Sequence, residues 1–130
     1  MKKRNLISVC LISAVLVFGQ NVLAEPMGKT KAISTMATIT SHLNHRPDSA
    51  GKQMLNDIVN SDTSTTNEKA IASAMLGMNH KVEGSAKDEL RSILSNDSAT
   101  ESEKTLASIL VNLHHQASSG DQKELQALAK

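Results

Sequence analysis

The sequence predicts an all-α fold of three tandem αα-hairpin repeats of about 35 residues, forming a small solenoid or a compact helical bundle. Three observations predict it. Shifted by thirty-five residues, the chain lies over itself: Thr30, Thr65 and Thr100 coincide, as do Ala37, Ala72 and Ala107, His45, His80 and His115, and Leu55, Leu90 and Leu125. Within each unit the apolar residues recur at steps of three and four, the spacing of one helical face. Beyond residue 24 there is no Cys, Phe, Tyr or Trp, so the core must be built from Leu, Ile, Met, Val and Ala packed between helices, with no disulfide to help a small domain.

The first twenty-four residues read as a secretory signal peptide. Lys2, Lys3 and Arg4 precede an apolar run from Leu6 to Phe18, and Val22-Leu23-Ala24 places small residues for cleavage near Ala24. The run is shorter than the ~20 residues a spanning helix needs. Cys10 follows Val9, with too little apolar sequence before it for a lipoprotein cleavage site. The expectation is a periplasmic or secreted protein with a short tail at 25–29 and no membrane insertion after cleavage. Its formal charge would change from +1 to −2, because Lys2, Lys3 and Arg4 leave while all 13 acidic residues stay. That balance offers no basic field for nucleic acid or anionic lipid.

The helical domain is expected over 30–130, in units 30–64, 65–99 and 100–130. In the second unit Thr65-Thr66-Asn67-Glu68 fits a capping box, and Thr100-Glu101-Ser102-Glu103 repeats it in the third. Behind these boxes run Ile71, Ala74, Met75, Met78 and Val82, then Leu106, Ile109, Leu110, Leu113 and Ala117, each set forming one stripe. The first unit departs from the pattern, with Ile33 in place of the box glutamate and Thr40 and Ser41 in the stripe. Terminal repeats are often atypical. A polar loop, such as Arg46-Pro47-Asp48-Ser49 or Lys81-Val82-Glu83-Gly84, stops the first helix of a unit. A shorter second helix carries Leu55, Ile58 and Val59, then Leu90, Ile93 and Leu94, then Leu125, Leu128 and Ala129. The spacing predicts helices over 31–45, 50–60, 67–81, 86–95, 102–116 and 121–129. The period is near that of tetratricopeptide repeats, about 34 residues, but the aromatics and proline those repeats rely on are absent.

The residues exclude more functions than they suggest. There is no thiol nucleophile beyond the leader, no HExxH, no glycine-rich phosphate loop and no GxSxG elbow. No enzyme and no cofactor are expected. Sugar and single-stranded nucleic acid lack the rings on which they usually stack. The candidate metal ligands are His42, His45, His80, His114 and His115, with Met75 and Met78 as a soft pair beside His80. The leading expectation for the histidines is structural. Helices pack about 8–10 Å apart, so one His per repeat would form a ladder in which each ring ends the first helix of its unit and reaches terminal carbonyls. Met75 and Met78 align with Leu110 and Leu113 and read as core. The function expected first is therefore a protein-binding module, acting as an inhibitor, a chaperone-like shield or a host-interaction factor. The alternative is a periplasmic zinc- or copper-binding protein using His and Met.

Overall fold

A threonine opens every other helix. The side chain of Thr30 accepts the amide of Ile33 to start α1 (Lys31–Ser41), Thr65 accepts that of Glu68 at α3 (Thr66–Gly77), and Thr100 accepts that of Glu103 at α5 (Glu101–Asn112). Both expected capping boxes are formed, with Glu68 and Glu103 reaching back to the threonine amides at 2.8 Å. The intervening helices are α2 (Ser49–Asn60), capped by Asp48, α4 (Gly84–Leu94), and α6 (Ser119–Ala129), capped by Ser118. This computed structural model describes residues 29–130. Six helices and no strand occur among those residues. The signal-peptide reading of 1–24 lies outside them.

The helices form one compact bundle. Each even-numbered helix packs most extensively on the odd-numbered helix that follows it, α2 on α3 and α4 on α5, and the last packs on the first, α6 on α1. The odd-numbered helices also touch one another. Two side chains fasten the closure: Ser34 Oγ donates to the carbonyl of Ala129 at 2.9 Å, and Gln122 Nε2 to that of Ser41 at 3.0 Å. Of the two arrangements expected, the compact bundle agrees with this packing.

The core follows the predicted stripe except at Leu94, which is exposed, and at Val59, Ala117, Leu128 and Ala129, which are only partly buried. Ile33, Met36, Leu55, Ile71, Met75, Leu90, Leu106, Leu110 and Leu125 are fully buried, and Ala37, Ala72 and Ala107 are sealed completely. Burying a Leu, Ile or Met side chain contributes about 1.5–3 kcal/mol. The same stripe carries polar groups that sequence reasoning placed at a helix end and not in the core. Glu68 accepts the hydroxyl of Thr30, and Glu103 accepts the hydroxyl of Thr65 at 2.6 Å and the amide of Asn67 at 3.1 Å. Each box glutamate thus caps its own helix and ties down the cap of the preceding odd-numbered helix. Both are buried, and no buried side-chain polar atom among the described residues lacks a partner.

The expected ends of the odd-numbered helices need correction. They stop at Ser41, Gly77 and Asn112, four residues before the predicted 45, 81 and 116. The chain leaves the helix before it reaches the proline or glycine of the loop.

Candidate metal centre

The early stop creates a turn that occurs in the same form three times. Leu43, Met78 and Leu113 follow the helix ends and are buried. Four residues further on, Pro47 and Val82 are buried and Ala117 is half-buried. A histidine sits midway between each pair of apolar anchors, exposed and held by burial two residues to either side. The intervening backbone must double back in very few residues. It does so by placing His45, His80 and His115 at φ of 78°, 73° and 66°. These are the only non-glycine residues with positive φ among those described. Such a conformation costs on the order of 1–3 kcal/mol per residue and persists only where its surroundings impose it. Across His115 the amide of Gln116 donates to the carbonyl of His114 at 2.7 Å, closing a three-residue turn.

The three turns are joined by a cycle of backbone hydrogen bonds. The amide of His80 donates to the carbonyl of His45 at 2.8 Å, that of His115 to His80 at 3.0 Å, and that of His45 to His115 at 3.3 Å. The cycle orients the rings. Nδ1 of His45 stands 3.0 Å from that of His80 and 3.1 Å from that of His115, and the remaining pair is 3.2 Å apart. The rings meet edge to face, with centroids 4.8–5.2 Å apart.

This corrects the spacing argument made from the sequence. Helix axes keep their distance, but the ligand atoms are carried on turns that lean together at one end of a closed bundle. The histidines therefore converge instead of forming a ladder. They also lie beyond the helix ends and do not cap them.

Three neutral imidazoles cannot satisfy this triangle by themselves. Each inward nitrogen carries either a proton or a lone pair, and a hydrogen bond needs one of each, so no protonation pattern completes all three contacts. A cation meets three lone pairs at once. With sides near 3.1 Å, the three nitrogens are spaced so that they would hold a single ion at the usual ~2.0–2.1 Å bond length. At that bond length, nitrogens in tetrahedral sites are about 3.3–3.4 Å apart and facial octahedral ones about 2.9 Å apart. The observed separations fall between the two.

The other sequence candidates are not gathered here. His42 Nδ1 is 2.9 Å from the carbonyl of Thr38 and 3.0 Å from Ser41 Oγ, at the end of its own helix. His114 is exposed beside the triangle but is not one of the three converging residues. Met75 is buried, with the hydroxyl of Thr40 directed at its sulfur 3.9 Å away, and Met78 is buried as well. Both methionines occupy the core, as their alignment with leucines implied. Next in sequence to His80, Lys81 pairs with Glu83 at 2.8 Å, and its hydrogen bond and charge hold the Glu83 carboxyl below its usual range.

Comparison with protein-family models, with curated proteins and with solved structures found no match. No described helix is long and apolar enough to cross a membrane.

Proposed function

We propose that this protein binds one divalent transition-metal ion through Nδ1 of His45, His80 and His115. One observation carries the reading: three imidazole nitrogens 3.0–3.2 Å apart, held on three strained turns that hydrogen-bond in a cycle. Imidazole suits Zn²⁺, Cu²⁺, Ni²⁺ and Fe²⁺. The fold reading behind it is three αα-hairpins, 30–64, 65–99 and 100–130, around one axis, each contributing a ligand at the same register. Residues 1–24 direct export in this proposal, so the ion is met outside the cytoplasm, and the protein binds without catalysing a reaction. The protein-binding reading draws less support, because a concave recognition surface needs an open stack and α6 packs on α1.

The test is metal content. Full-length protein, stripped with chelator, is titrated with Zn²⁺ by calorimetry and the dialysed product measured by elemental analysis. The expected result is one ion per chain with micromolar or tighter affinity, lost in the His45→Ala, His80→Ala and His115→Ala variants alike. Wild-type protein that takes up no stoichiometric ion overturns the proposal.

A further inference from the structure

We infer that the metal, once bound, carries an exchangeable ligand on the solvent side, and that this position takes a small anion in place of water. The inference rests on the metal reading above and concerns what the site does next. The protein supplies three donors only: among the described residues no further His, Cys, Asp or Glu joins His45, His80 and His115. A divalent ion of this class completes at least four positions, and sites with three protein ligands keep the remainder for water or substrate. The direction of that open position follows from burial. Leu43, Met78 and Leu113, two residues before each ligand, belong to the core, whereas all three histidines are exposed.

Charge selects what occupies the position. All three ligands are neutral when bound, so the ion keeps its full double charge, unlike a site with a carboxylate or thiolate ligand. Arg46, next in sequence to His45, is exposed and makes no ion pair with a described residue. The charge of Lys81 is already committed to Glu83. The field at the open position is therefore positive, and an anion gains from it what water does not. Exchange breaks one metal–water bond and forms one metal–anion bond. No electron is transferred.

Cobalt(II) and azide test this directly. Full-length protein is loaded with one equivalent of Co²⁺, and its visible ligand-field absorption is followed as sodium azide is added. The expected result is a saturable, one-to-one spectral change, with azide affinity about two- to fivefold weaker in Arg46→Ala, the effect of one exposed charge. A cobalt spectrum that azide does not perturb overturns the inference and leaves the metal reading standing. If no protein-bound cobalt spectrum forms, both fall together. Equal azide affinity in the wild type and Arg46→Ala removes Arg46 from the site.

Discussion

The backbone amide of His45 donates to the carbonyl of His115, 70 residues further along the chain, at 3.3 Å. The bond closes a cycle that His80 completes. It also makes the position of each ring depend on the other two turns. An ion held by all three rings would tie together three segments far apart in sequence, and ligand binding to the native state alone stabilises it by mass action.

The first prediction follows. Zn²⁺ at one hundred times its dissociation constant should stabilise the protein by about 2.7 kcal/mol, seen as a higher melting temperature. His80→Asn should abolish the whole gain, not a third of it, because two imidazoles cannot hold the ion in this geometry. Asn tolerates positive φ, so the variant keeps the turn and removes only the imidazole. A gain that survives in His80→Asn would show that the ion binds elsewhere.

A second prediction separates function from stability. At φ 73° the backbone of His80 is still less favourable for a residue with a Cβ, even for Asn or His, which tolerate it best, whereas glycine adopts that conformation freely. His80→Gly should therefore leave metal-free protein as stable as the wild type or more stable by up to about 1 kcal/mol, while losing the ion. Urea unfolding of the two chelated proteins decides it. A marked drop in the glycine variant would mean that the ring holds the fold together.

How much of this could be read in advance depended on range. The caps at Thr65 and Thr100 were legible because a capping box is complete within four residues. Leu55, Leu90 and Leu125 were legible as core because a stripe repeats within one helix. The coincidence of His45, His80 and His115 was visible too, yet its meaning was not. It depends on the packing of α6 against α1 and on a left-handed turn at each histidine. Neither leaves a decisive local mark: histidine, like asparagine, is enriched at positive φ, but most histidines adopt ordinary backbone, so the residue alone does not announce the turn. The second partners of Glu68 and Glu103, thirty-eight residues from their own positions, were hidden for the same reason.

A third prediction concerns acid. Burial pushes the Glu103 carboxyl up, but hydrogen bonds from Thr65, from the amide of Thr100 and from Asn67 outweigh it, so the group titrates below its usual range. A folded value below the unfolded one gives stability that is complete above the ordinary carboxylate range, about 4.3, and lost as pH falls through the lowered value. Glu103→Gln should cost about 1.5–3 kcal/mol near neutrality, the range for hydrogen bonds to a charged group. The difference between variant and wild type in urea should shrink as pH is taken to about 2.5. A difference independent of pH would mean that shape, not charge, is what the site requires.

The last prediction tests the ring itself. If three hairpins close around one axis, the join between the chain's ends is equivalent to the connections inside it. Ser34 already bonds the carbonyl of Ala129, which brings the end of α6 to the first turns of α1. The four residues Ser61–Ser64 span the same gap between α2 and the cap of α3 at Thr65. A circular permutant that follows Lys130 with a copy of Ser61–Ser64, continues into Thr30 and opens between Ser64 and Thr65 should therefore fold, since permutation is tolerated where termini lie close together. It keeps all three turns, so it should also bind one Zn²⁺ with affinity close to the parent. Circular dichroism and calorimetry read both properties. An open stack of hairpins would place the two ends one full array apart, and a four-residue link could not join them without unfolding a terminal helix. A permutant with less helix and no zinc site would therefore show that the units do not close, and that the cycle of bonds among His45, His80 and His115 does not survive in solution.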